Sequence, residues 1–160
     1  MKRPDLFLDT SVILAGLVDF GEGSAAPQAV LALVAERRLG TVATAWHCVL
    51  EFYSVATRLP PEYRLTPDDA VRLLESEVIA RFDVYALPAK RRLEFLRDVA
   101  HERAIGGRIY DTHIAEIARS AGAPVVLTEN RRHFLGLLRH GTRVLTASEF
   151  LEERRETRRS

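Results

Sequence analysis

The sequence predicts a three-layer α/β domain, an α/β/α sandwich around a central parallel sheet. Two observations predict it. Short, continuously apolar segments of strand length alternate along the chain with longer segments of helical period, the pattern of strands covered by helices on both faces. The chain has 160 residues, room for one such domain and not for two. A chain of this size buries about two-thirds of its unfolded surface, so it needs neither disulfide nor metal to hold a core.

In chain order, Leu6-Phe7-Leu8 is the first strand, running directly into Asp9-Thr10-Ser11. Val12 to Val18 reads as a short helix. Pro27 opens a second helix whose apolar positions Val30, Leu31, Leu33 and Val34 fit a 3.6 period. It ends at Arg37-Arg38 before Gly40, a basic last turn and a glycine stop. Thr41 to Ala43 is a strand, and Trp46 to Arg58 a helix closed by Pro60-Pro61. Pro67 with Asp68 and Asp69 opens another helix, with acids where the helix dipole favours them. Phe82 to Leu87 is the next strand, and Pro88 starts a helix lasting to Ala104 before Gly106-Gly107. Asp111 to Ala121 is a helix closed by Gly122, followed by the buried strand Val125 to Leu127. Arg131 to Leu138 is a short helix and Arg143 to Leu145 the last strand. Ser148 is expected to cap a final helix that frays after residue 151, which divides the chain into a domain over 1–151 and a charged tail over 152–160.

Composition excludes several classes. An apolar fraction of 47% and a charged fraction of 28% are those of a globular domain and not of a disordered, collagenous or disulfide-framed chain. With 23 basic and 22 acidic residues the formal charge is +1, so charge alone does not hold this protein to nucleic acid. A nuclease stays open, because a bound metal adds positive charge that no side-chain count includes. The single cysteine, Cys48, suits a reducing compartment. The apolar stretch Leu6–Leu8 stops at Asp9, too short for a secretory signal. Val12 to Val18 is far below membrane-spanning length. The expectation is a soluble, cytoplasmic protein. All but two of the 23 basic residues are arginine; the guanidinium fork suits phosphate recognition, but coding bias is the preferred explanation.

In an open parallel sheet, ligands bind beyond the carboxyl ends of the strands, where strand order reverses. Asp9 follows the first strand, Asp111 stands at a helix start, and Thr128-Glu129-Asn130 follows the strand Val125–Leu127. Glu51 lies inside the helix from Trp46. Converging carboxylates select hard cations such as Mg²⁺ or Mn²⁺, which activate water for attack on phosphodiesters. Each residue has a plainer role as well. Asp9 and Asp111 suit helix caps, and Glu51 shares a stripe with His47, Ser54 and Arg58 that suits a solvated ion pair. The turn after Leu127 is ordinary. His47, His101, His113, His133 and His140 show no metal-ligand spacing; His113 is expected on the surface of the Asp111 helix. Cys48 reads as core and not as a nucleophile.

Four segments taken together resemble the PIN domain, and within it the ribonuclease toxins of VapBC-type pairs. They are Leu6-Phe7-Leu8-Asp9-Thr10-Ser11, Leu50-Glu51-Phe52-Tyr53-Ser54 with Thr57-Arg58-Leu59-Pro60, Tyr110-Asp111-Thr112-His113-Ile114-Ala115, and Leu127-Thr128-Glu129-Asn130-Arg131-Arg132-His133-Phe134. The resemblance spans nearly the whole chain. It implies an acidic pocket holding one or two Mg²⁺ or Mn²⁺ ions, with Asp9, Glu51 and Asp111 as the carboxylates and Ser11 supporting Asp9. Similar proteins often carry a fourth acid after the fourth strand, where this chain offers Thr128, Asn130 and His133, with Glu129 between the first two. It further implies hydrolysis of RNA to 5′-phosphate and 3′-hydroxyl ends, an antitoxin partner and a homodimer. A PIN nuclease of RNA maturation, or a silent RNA- or protein-binding PIN-like domain, would share these residues.

Arg58, Arg108, Arg131 and Arg132 flank the proposed site in sequence and are candidates for phosphate contact, or for solvated surface charge. Two other Asp-bearing parallel-sheet classes fail on residues in view. A haloacid-dehalogenase-like phosphohydrolase needs a second Asp where this chain has Ser11. A phospho-accepting receiver needs a lysine after its last strand, and the only lysines are Lys2 and Lys90.

Overall fold

The computed structural model describes residues 2–160. Its strands are β1 (Leu6–Leu8), β2 (Val42–Ala45), β3 (Asp83–Tyr85), β4 (Val125–Leu127) and β5 (Arg143–Leu145). They form one five-stranded sheet in the order β3-β2-β1-β4-β5, and every pairing is parallel. Helices α1 (Thr10–Leu17), α2 (Ala25–Ala35), α3 (Trp46–Ala56), α4 (Pro67–Leu73), α5 (Arg92–His101), α6 (Arg108–Ala121) and α7 (Ala147–Arg159) connect and cover the strands.

Strand residues alternate between faces, so one short strand feeds two cores. Leu6 and Leu8 of β1 pack with Val12, Val30, Val34 and Phe52 in one buried cluster. Phe7, between them, belongs to the other, with Phe95, Ile114, Ile117 and Phe134. This is why Leu6-Phe7-Leu8 is apolar throughout: no position faces water. Gly16 lets α1 and α2 approach closely, since a Cβ there would run into the Leu31 side chain. No helix among the described residues is long and apolar enough to cross a membrane.

Several boundaries differ from the sequence expectation. α1 starts at Thr10 and not Val12, because the N–H groups of Val12 and Ile13 close the first turn on the Asp9 carbonyl at 3.2 and 3.3 Å. β3 covers only Asp83–Tyr85 of the expected Phe82–Leu87, pairing as an edge strand with Ala43, Thr44 and Ala45. α4 passes into a π-helical stretch over Leu74–Ile79. The expected helix from Arg131 to Leu138 is instead two 3₁₀ stretches, Arg131–His133 and Leu135–His140.

The end of the chain needs the largest correction. Thr146, not Ser148, caps α7, in a capping box with Glu149. The segment expected as a frayed tail over 152–160 continues as helix to Arg159. An ion pair between Arg143 and Glu153 at 2.5 Å ties it to β5, and the Arg154 guanidinium donates to the Arg38 carbonyl at 3.3 Å.

Candidate active site

The chain leaves β1 for β2 and β3 on one side and later returns to place β4 on the other. The strand order therefore reverses between β1 and β4, where the two outgoing connections diverge and leave a crevice. Asp9 ends β1 there, its N–H donating to the Leu127 carbonyl of β4 at 3.0 Å. Thr128 stands immediately after β4.

Asp9 occupies the position before α1, but its side chain makes no capping hydrogen bond. Instead Ser11 Oγ and Thr128 Oγ1 both donate to its Oδ2, at 2.9 and 2.8 Å. Each hydroxyl is in turn fixed by a backbone donor, Glu129 N–H to Ser11 Oγ at 2.9 Å and Asn130 N–H to Thr128 Oγ1 at 3.0 Å. A hydroxyl that accepts from an amide has its own proton left to give, so both protons point at the carboxylate. The turn Thr128-Glu129-Asn130 thus aims two donors at Asp9.

Asp9 is 3% exposed. Burial pushes its carboxyl up to about 6; the Thr128 and Ser11 hydrogen bonds pull the other way, and the nearby Glu51 carboxylate adds to the rise. Glu51, half-buried on α3, accepts from Thr10 Oγ1 at 2.5 Å. It forms no ion pair with Arg58, so the solvated-stripe reading of Glu51 does not hold. Among the described residues neither Asp9 nor Glu51 has an arginine, lysine or histidine counter-charge.

Asp111 is the fourth residue of α6 and not its first; Gly107 takes the cap position. The extra turn begins because the chain turns helical at Arg108, immediately past Gly106-Gly107. Asp111 Oδ2 lies 2.8 Å from His133 Nδ1, brought over by the 3₁₀ turn after β4. Glu129 is engaged elsewhere, its Oε1 accepting the Ala147 N–H at the start of α7 at 3.1 Å. Asn130 meets the Asp9 group through its backbone N–H.

Nothing in the sequence beyond its place in the Asp-Thr-Ser run pointed to Thr10 as a partner of Glu51. Nor did it mark His47 and His113 as neighbours, yet their Nδ1 atoms are 3.3 Å apart and Tyr110 stacks on His47. His113 is half-buried against His47 and Phe95, not displayed on the α6 surface. Burial lowers its pKa, helped by His47 and the Arg92 cation. Cys48 is buried, with burial and the Asp9 charge pushing its thiol up to about 12, which suits packing and excludes a thiolate nucleophile. Arg58, Arg108 and Arg132 are exposed. Arg131 is paired with Glu149 at 2.6 Å.

The donor set at the crevice suits a hard divalent cation: two adjacent carboxylates, one of them buried, flanked by hydroxyls and lacking a cationic partner. The three acids do not form a ready-made cage. Among the described residues no group of three or more His, Cys, Asp and Glu side chains is placed to hold an ion; the Asp111 carboxylate meets His133.

The PIN domain family model matches residues 6–136, from the first residue of β1 through the turn that carries His133. The chain belongs to the PIN domain family. It is 37% identical to Ribonuclease VapC27 of Mycobacterium tuberculosis over 130 residues, covering 81% of this chain and 88% of that protein. It is 34% identical to Ribonuclease VapC40 of the same species over 123 residues, covering 77% and 85%. The fold is shared with FitAcB of Neisseria gonorrhoeae at a TM-score of 0.57 and 18% identity, covering 89% of this chain and 97% of that one. VapBC-1 of nontypeable Haemophilus influenzae shares it at 0.59 and 17% identity, covering 89% and 98%.

Proposed function

We propose that this chain is a Mg²⁺- or Mn²⁺-dependent endoribonuclease and the toxin of a type II toxin–antitoxin pair. The observation that carries the chemistry is Asp9, buried at the switch point beside Glu51 with hydroxyl donors but no cation. The likeness to VapC27 and VapC40, both named ribonucleases, supplies the substrate class.

In this reading Asp9, Glu51 and Asp111 hold the ion. When bound, the ion lowers the pKa of a water and neutralises charge developing on the phosphoryl oxygens. Ser11 and Thr128 keep Asp9 in one orientation and, by donating to Oδ2, favour its charged form. Thr10 fixes Glu51, which orients the attacking water and accepts its proton. His133 holds Asp111 in the absence of substrate and, once released, is placed to meet the phosphate. Arg58, Arg108 and Arg132 contact flanking phosphates; Arg131 joins them only by giving up Glu149. Attack in line on phosphorus breaks the bond to the 3′-oxygen, which takes a proton from solvent, and leaves 5′-phosphate and 3′-hydroxyl ends. An antitoxin arginine set between Asp9 and Glu51 would supply the missing counter-charge, and the toxin is cytoplasmic and homodimeric.

The test is cleavage of a total RNA mixture by purified protein with Mg²⁺, Mn²⁺ or EDTA, beside Asp9→Asn. We expect metal-dependent cuts bearing 5′-phosphates, reduced at least a hundredfold in the variant. Cuts that persist in EDTA or end in cyclic 2′,3′-phosphates would overturn the metal mechanism. Binding of RNA or of a partner without any cutting would mark a silent PIN-like domain.

A further inference from the structure

We propose that the groove between α2 and α7 is a second RNA contact, an arginine track that holds the substrate's phosphate backbone away from the cleavage site. The proposal rests on the ribonuclease reading above.

The groove is lined by Leu33 and Arg38 from the α2 side and by Leu151, Arg154, Arg155 and Arg158 from α7, around a volume of about 160 Å³. Leucine side chains and the aliphatic stems of the arginines form its lining, and the exposed Arg155 and Arg158 carry their charged ends at its rim. At 3.6 residues per turn, Leu151, Arg154, Arg155 and Arg158 fall within an arc of about 100° on α7. Glu152, Glu153 and Glu156 fall on a separate arc. Glu153 is also drawn off by Arg143 on β5. The near-neutral composition of the chain therefore hides a local concentration of positive charge.

Among the described residues, Arg154, Arg155 and Arg158 take part in no ion pair, and Arg38 pairs only with Glu36. Arg154 is held in place by its bond to the Arg38 carbonyl and by stacking on Phe150 at 5.7 Å. Arg155 and Arg158 are exposed. Such forks suit phosphate oxygens.

The position favours RNA over an acidic protein. α7 starts at the catalytic edge: the Ala147 N–H donates to Glu129, whose own N–H donates to Ser11. At 1.5 Å rise per residue the three arginines stand roughly 10–17 Å along the helix from that end. A single strand leaving the crevice reaches that far within a few nucleotides. Contacts here carry no base specificity; they add affinity for long RNA and its salt dependence.

The experiment is fluorescence anisotropy in EDTA, with a labelled mixed-sequence RNA of about 24 nucleotides and a labelled dinucleotide, chosen to exceed and to fall short of the ~17 Å helix distance. Both are read at salt between about 50 and 200 mM, for wild type, Arg154→Gln/Arg155→Gln/Arg158→Gln and Arg155→Gln/Arg158→Gln, beside the total-RNA cleavage assay. The triple variant is expected to bind the long RNA at least tenfold more weakly, with a salt slope lower by about 2, and the short RNA as wild type does. The double variant falls between, and covers a triple variant that fails to fold. Equal affinity and slope in all three proteins, with cleavage intact, overturns the track and leaves the ribonuclease reading standing. Wild type that neither cuts nor binds RNA overturns both. A poly-glutamate peptide that binds wild type and not the variants, with RNA binding unchanged, assigns the groove to a protein partner and overturns the proposal.

Discussion

Asp9 bears two opposed demands. Burial favours the neutral acid, while two hydroxyls and the proposed cation favour the carboxylate, and burial dominates in the metal-free protein. Its folded pKa of about 6 lies above the ordinary 3.8 of an aspartate, so the folded state binds this proton more tightly than the unfolded chain does. The cost to stability is present in full above pH 6 and disappears as pH falls through 6 toward 3.8. Asp9→Asn keeps an acceptor for Ser11 and Thr128 and removes the charge. In EDTA it should therefore be more stable than wild type by up to about 3 kcal/mol at pH 7.5. Urea melts across pH should show that gap closing toward pH 4. A variant less stable than wild type at pH 7.5 would mean that the carboxylate is structural.

At the scale of elements, the cap of α7 lies two residues before the expected Ser148 for a physical reason. Thr146 and Ser148 are both cap-type residues, and only the box closed by Glu149 distinguishes them. Thr146→Ala should cost about 1 kcal/mol in urea denaturation, and Ser148→Ala within about 0.5 kcal/mol. Gly16 makes a second test at this scale. Because the α1–α2 contact has no space for a Cβ beside Leu31, Gly16→Ala should lose about 1–3 kcal/mol by overpacking, despite alanine's better helix propensity. Leu31→Ala in the same chain should recover part of that loss, which calorimetric Tm values would read.

For the whole molecule, the proposed metal binding would be linked to folding. An ion that binds the folded crevice and not the unfolded chain stabilises the fold by about 2.7 kcal/mol at a hundred times its dissociation constant. Mg²⁺ or Mn²⁺ should raise the Tm of wild type in a concentration-dependent way and leave that of Asp9→Asn unmoved. An equal rise in both would place the ion elsewhere. The switch point concentrates acids on one edge of the sheet, and α7 carries arginines away from that same edge. The molecule therefore has a direction that its near-zero net charge conceals.

The sequence by itself determined the layer architecture, since an apolar run such as Leu6-Phe7-Leu8 can be satisfied only by burial on both faces. The resemblance carried by four motifs in order also pointed to Asp9, Glu51 and Asp111 as candidate carboxylates, with Ser11 as the support of Asp9. Strand order, and with it the meeting of Asp9 with Thr128 across 119 positions, was decided only by the tertiary structure. So were the Thr10–Glu51 bond, the capture of Asp111 by His133 and the engagement of Glu129 with α7. Local pattern reports which face of an element is buried, because each residue carries that preference alone. Which polar groups meet depends on how the elements pack, and hydrogen-bond partners are chosen by proximity after the core has formed.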